Sequence, residues 1–302
     1  MAKIFFMKHA KVFLFPVMGL ILSSCTSASL WMVNTLAKLD DYSVHQNIAY
    51  AEHSLNQLDV YVPEKQAGQD ASTYPVVIFF YGGCWGGCTT RTKEDYEFVA
   101  QALTSHGYLV VLTDYRRHPE VTFGTIIKDA SDSVEWVKAN ISRYGGNDHT
   151  LFLMGHSAGA HLAAMLTLNE EYLQRDTYGD VKGFIGLAGP YDFLPFTQPY
   201  QYLVFGPEPK YAASQPINFV DGTEPPLLLL YGQDDTAVYP RNIKNLSAKI
   251  NKKKGEVEVH IYEDIDHYSI LAALSLPYQD KDAVFGDIIR FLEHYSQPPI
   301  VP

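Results

Sequence analysis

The segment that most constrains this chain is Gly155-His156-Ser157-Ala158-Gly159, which joins an apolar run, Leu151 to Met154, to a helical stretch, Ala160 to Thr167. A strand that turns directly into a helix exposes the Ser157 hydroxyl at its tip. It leaves no room for side chains two residues to either side, so both glycines have a steric reason. The turn also sets the hydroxyl at a helix N-terminus, where unpaired N–H groups and the helix dipole favour developing negative charge. A phosphate-binding loop could share the glycines; the strand-to-helix setting favours a nucleophile.

Similar runs recur along the chain. Pro75 to Phe80 is continuously apolar and ends at Gly82-Gly83, and Tyr108 to Leu112, Phe184 to Leu187 and Leu227 to Leu230 repeat that form. Such runs suit parallel strands buried on both faces. Gln57 to Val62 alternates as a half-buried strand would. Ile127, Ala130, Val134, Val137 and Ile141 recur at spacings of three and four and draw one core-facing helical stripe. Strand and helix in alternation predict an α/β fold, a mostly parallel central sheet with helices on both faces and the site at the carboxyl ends of the strands.

A serine nucleophile needs a base to take its proton and an acid to hold that base in the productive tautomer. After Leu227 to Leu230 comes Gly232-Gln233-Asp234-Asp235-Thr236-Ala237-Val238, similar to a Gly-x-x-Asp-x-x-Val turn that carries such an acid. Asp235 fits that spacing, with Asp234 as its competitor. After the next predicted strand, Glu256 to Tyr262, comes Asp266-His267-Tyr268. Of the eleven histidines, His267 has both the chain order and the post-strand position, whereas His156 and His161 lie on the wrong side of the acid. The tetrahedral intermediate also needs donors, one from the N–H after the nucleophile, Ala158, and one from the loop Tyr81 to Gly87.

With these residues in place, residues 46 to 295 resemble the α/β-hydrolase esterases related to hormone-sensitive lipase and the bacterial feruloyl-esterase-like (BD-FAE) group. Tyr81-Gly82-Gly83-Cys84-Trp85 is similar to the family's His-Gly-Gly-Gly-Trp oxyanion loop, with Tyr at the first position and Cys at the fourth. By position, Gly83 and Cys84 are implied as backbone donors. Asp114-Tyr115-Arg116-Arg117-His118-Pro119-Glu120 resembles an Asp-Tyr-Arg-Leu-Ala-Pro-Glu segment, and Gly145-Gly146-Asn147 a Gly-Gly-Asp turn. The resemblance implies the α/β-hydrolase fold and a serine carboxylesterase acting on short acyl or aryl esters without a cofactor. An amidase, peptidase or arylformamidase would use the same residues, and a non-catalytic envelope lipoprotein could keep the fold as a binding surface.

The beginning of the chain has its own composition. Lys3, Lys8 and Lys11 accompany the apolar run Val12 to Leu22, and no acid occurs before Asp40. The run is too short to span a bilayer, which takes about 20 apolar residues, so it reads as a signal peptide. Leu22-Ser23-Ser24-Cys25 resembles the bacterial lipoprotein box, in which the Cys is lipidated. The expected layout is a signal peptide over 1–24, a tether over 25–45 and a catalytic domain over 46–296. The protein would then be anchored in the cell envelope through lipid on Cys25, with Thr26 pointing to the outer membrane. In an oxidising compartment Cys84 and Cys88 form an even pair that permits a disulfide without requiring one. No spacing suggests a metal site. With 34 acidic against 23 basic residues the formal charge is -11, which argues against nucleic acid and against anionic substrates. Between Gly189 and Pro226 lies an aromatic-rich insert, including Tyr191, Phe193, Phe196, Tyr200, Tyr202 and Phe205, read either as an acyl-pocket wall or as a packed loop.

Overall fold

The computed structural model describes residues 29–64 and 73–297. The strands are β1 (Tyr42–Ala49), β2 (Gln57–Pro63), β3 (Tyr74–Phe80), β4 (Leu109–Thr113), β5 (Gly146–His156), β6 (Val181–Leu187), β7 (Leu227–Gly232) and β8 (Val257–Tyr262). They form one eight-stranded sheet in the order β1-β2-β4-β3-β5-β6-β7-β8. β2 runs antiparallel to both its neighbours, and every later pairing is parallel.

This order dictates where the helices go. The chain steps one way from β3 to β4 through α2 (Glu97–Thr104), then reverses to reach β5 through α3 (Phe123–Asn140). Right-handed crossovers in opposite directions put α2 and α3 on opposite faces. From β5 onward the chain keeps one direction. α4 (Ala158–Leu168) and, after the short helices α5 (Arg175–Gly179) and α6 (Pro199–Phe205), α7 (Arg241–Lys253) therefore share the α3 face, and α4 packs on α3. After the one-turn α8 (Ser269–Ala272), α9 (Val284–Ser296) returns to the α2 face, where Phe285 meets His106 beyond the end of α2 at 5.0 Å. The reversal lies between β3 and β5, and a crevice opens there outside the carboxyl ends of the strands. The expected α/β-hydrolase arrangement is thus present.

Two boundaries differ from expectation. The stretch expected as a tether over 25–45 is structured from residue 29. Residues 29–37 form a helix, α1, with Leu30, Val33 and Ala37 packed on the core. Its Asn34 accepts from Phe98 N–H and donates to Glu94 O, at 3.0 and 3.1 Å. β1 then adds the outer strand, so the domain begins before residue 46. In β2, Asp59 does not face water as alternation predicted. It accepts from the Asn47 N–H at 2.7 Å and lies 3.3 Å from the buried Lys93 ammonium, so a pair of ions occupies the position that alternation assigned to solvent. The Leu22–Cys25 box and the signal segment lie outside the described residues.

Candidate active site

β5 delivers Ser157 at its carboxyl end, and α4 starts with the next residue. Ser157 sits at φ 54°, ψ −122°, a region that costs a non-glycine residue about 1–3 kcal/mol and persists only where its surroundings impose it. Here the imposing contacts are visible. A Cβ on Gly155 would lie 2.4 Å from the Gly159 carbonyl carbon, and one on Gly159 would lie 2.0 Å from Phe80 O. Helix α4 can approach β3 and β5 this closely only because both positions are glycine.

His267, in the loop after β8, lies with Nε2 3.0 Å from Ser157 Oγ and Nδ1 2.8 Å from Asp235 Oδ2. The other oxygen of Asp235 accepts two backbone N–H groups, those of Ala237 and Val238, each at 2.8 Å. Asp235 and His267 are both buried, while Asp234 is exposed, so of the two acids the fold brings only Asp235 to the histidine. The turn closes tightly. A Cβ on Gly232 would meet Ile265 O at 2.3 Å, and Tyr231 donates its hydroxyl to Val238 O at 2.7 Å.

The loop after β3 faces Ser157 across the crevice. A Cβ on Gly82 would lie 3.0 Å from that of Ser157. Gly83, Cys84 and Ala158 all line the same cavity as Ser157 and His267. Cys84 and Trp85 hold φ of 55° and 56°, and Cys84 is bonded to Cys88 with Cα atoms 5.3 Å apart. Further ties fix the loop: His118 N–H donates to Trp85 O, and Gly87 N–H to Cys84 O, both at 2.9 Å. Tyr81, where the resembling family has His, is a brace. Its ring stacks between Tyr96 and Tyr115, and its hydroxyl donates to Asp114 Oδ1 at 2.7 Å while accepting from Arg117 at 2.8 Å. Burial pushes the Tyr81 phenol well up from its ordinary value, so the proton stays on the oxygen.

Two histidines that chain order set aside have positions here. His156 donates from Nε2 to His267 O at 2.8 Å, and burial pushes it down to about 3, so it stays neutral. His161 accepts from Trp85 Nε1 at 3.1 Å and donates from Nε2 to Ser214 O at 2.7 Å, and burial pushes it down to about 4. One neutral tautomer satisfies both its contacts and links the loop after β3 to the insert. No local pattern in the sequence marks either role. α1 is different: Leu30, Val33 and Ala37 recur at helical spacing, and Leu30 and Val33 line the cavity.

The cavity measures about 840 Å³. Phe193 and Tyr200 of the insert line it, whereas Phe196 and Phe205 stack behind them at 5.2 Å, so the aromatic insert is in part wall and in part packed support. Among the described residues, no three His, Cys, Asp or Glu side chains gather as metal ligands would.

Residues 58–250 match the BD-FAE family. Isoprenylcysteine alpha-carbonyl methylesterase ICME of Arabidopsis thaliana is 26% identical over 273 residues, covering 82% of this chain and 62% of its own. Kynurenine formamidase of Salmo salar is 34% identical over 154 residues, 51% of this chain and 48% of its own. The chain thus spans about half to three fifths of the length of these curated relatives. Among solved structures, esterase B of Lactobacillus rhamnosis aligns with a TM-score of 0.75 at 18% identity, over 92% of this chain and 95% of its own, a likeness of fold. The family match runs from β2 to α7 and takes in both the Ser157 and Asp235 turns, so the chain belongs to the BD-FAE family of α/β hydrolases.

Proposed function

We propose that the chain is a serine carboxylesterase in which Ser157 is the nucleophile, His267 the base and Asp235 the acid that orients it. The observation that carries this reading is the continuous hydrogen-bonded line from Ser157 Oγ through His267 to Asp235, opening into the cavity. Ser157 Oγ attacks the ester carbonyl carbon as His267 Nε2 takes its proton, and the carbonyl oxygen becomes an oxyanion. The N–H of Ala158 at the start of α4 and those of Gly83 and Cys84 are the proposed donors to it. Collapse breaks the bond to the leaving oxygen, which receives the proton from His267 and leaves an acyl-Ser157. Water, deprotonated by His267, then attacks the acyl carbon, and the carboxylic acid departs as Ser157 regains its proton.

The apolar walls from Leu30, Val33, Phe193 and Leu271 suit short acyl or aryl esters. A fluorophosphonate probe tests the nucleophile, since labelling confined to Ser157 is expected and absence of labelling would defeat the reading. Initial rates on p-nitrophenyl esters of rising chain length then locate the preferred acyl group. An aryl formamide is the second reading, favoured by the 34% identity to a kynurenine formamidase. Its test is whether N-formylaniline is turned over faster than phenyl acetate.

The Leu22–Cys25 box supports a second element of the proposal, a lipid anchor on Cys25 that holds the enzyme at the cell envelope. Mass spectrometry of membrane-extracted protein should find a lipid-bearing N-terminal Cys25 peptide. An unmodified Cys25 would remove the anchor from the proposal.

A further inference from the structure

The cavity wall reverses the charge balance of the chain. Acidic residues outnumber basic ones, 34 to 23, yet no described residue lining the cavity is Asp or Glu, and two are arginines, Arg91 and Arg241. Arg91 already has a partner, Asp95, at 3.9 Å. Arg241 has none: it enters no ion pair among the described residues, and its Nε is buried without a hydrogen-bond partner. Nε itself is shut off by the protein, while the residue keeps part of its surface open at the cavity, so a ligand would meet the Nη end of the guanidinium. Arg241 is also the first residue of α7, a helix with no acid in its first turn, where the helix dipole disfavours a cation. A guanidinium with no ion-pair partner, held against the dipole at the wall of a mostly apolar cavity, gains from an anion that meets its open end.

We infer that Arg241 forms an anion subsite that reads a carboxylate on the substrate, in the same cavity as Ser157, which makes the preferred substrate an ester bearing a free carboxylate. The inference rests on the esterase reading of the site. The planar fork of donors on a guanidinium matches the two oxygens of a carboxylate. The net charge, which argued against anionic substrates, acts through screened solvent over distances near 10 Å, whereas Arg241 acts at contact inside the cavity. The carboxylate can sit on the acyl side or on the leaving-group side of the scissile bond, and two ester pairs separate these sources.

The experiment measures kcat/KM of wild type, Arg241→Met and Arg241→Lys on p-nitrophenyl acetate against mono-p-nitrophenyl succinate, and on phenyl acetate against 4-acetoxybenzoate. The ratio within each pair, compared between variants, cancels the intrinsic reactivity of the esters. In one pair the ratio should fall by about tenfold to a hundredfold in Arg241→Met, with the neutral ester little changed and Arg241→Lys in between. Ratios unchanged in both pairs, or parallel loss on neutral and charged esters, would overturn the inference. Titration calorimetry of succinate and of benzoate on Ser157→Ala, with and without Arg241→Met, tests the subsite without turnover. Saturable binding of one acid that disappears with Arg241→Met sustains the subsite even if no ester is hydrolysed, an outcome that would sink the esterase reading alone. No saturable binding of either acid, together with unchanged ratios, removes the subsite and leaves the esterase reading intact.

Discussion

At Ser157 two demands meet: the backbone holds φ 54° against its intrinsic preference, and the hydroxyl hydrogen-bonds His267. Ser157→Ala should keep the fold, since Ala adds no atom, while ester turnover falls by about 10⁴ to 10⁶, read from initial rates beside unchanged circular dichroism. Wild-type turnover in that variant would reassign the nucleophile. Asp235→Asn should lose about 10⁴ in kcat, because an amide leaves His267 in the wrong tautomer, whereas Asp234→Asn, altering an exposed side chain, should stay within a few fold. Spacing favoured Asp235 over its neighbour, but it could not show that the Asp235 carboxylate is the one that receives the N–H groups of Ala237 and Val238. His156 was equally hidden, since its partner is the backbone oxygen of a residue 111 positions away. It is a positioning residue. His156→Ala should lower kcat with KM nearly unchanged, by up to about a hundredfold if His267 shifts by 1 Å, and loss in KM alone would contradict that role.

At the scale of elements, the short loop after β3 carries two of the proposed oxyanion donors, Gly83 and Cys84. Its Cys84 and Trp85 hold left-handed backbone angles in a glycine-rich stretch, tied by the bond to Cys88 and by the His161 hydrogen bond to Trp85. Removing one oxyanion donor typically costs about 10² to 10³ in kcat. Cys84→Ser, Cys88→Ser together should therefore reduce kcat by an appreciable part of that factor, with a smaller relative change in melting temperature. Dithiothreitol should reproduce the effect in wild type, and a double variant as fast as wild type would disprove the coupling. The central strands were legible because burial on both faces demands unbroken apolar runs such as Val76 to Phe80. β1 was not, for as an edge strand with most of its residues exposed it carries no such pattern. α1 did carry a helical pattern, obscured by its place inside the stretch read as a tether.

For the whole molecule, the buried histidines tie stability to acidity. Burial holds His156 at about 3 and His161 at about 4, below the roughly 6.5 expected of the unfolded chain. Below pH about 6.5 the unfolded state binds more protons than the folded one, so their contribution is complete above that pH and is lost as pH falls towards 4 and then 3. The loss is about 1.4 kcal/mol per pH unit for each histidine. Melting temperatures measured from pH 7.5 to 5 should decline, and His161→Gln should decline less steeply than wild type, while equal slopes would show that His161 is not the sensor. α1 has a consequence on a larger length scale, because one helix both walls the cavity and sits four residues after Cys25. Four residue steps span at most about 14 Å even when fully stretched. If Cys25 carries lipid as proposed, the start of this cavity wall is leashed within that reach of the headgroups. The enzyme's working substrate concentration is then the one at the bilayer surface, set by the length of a tether and not by the surrounding fluid.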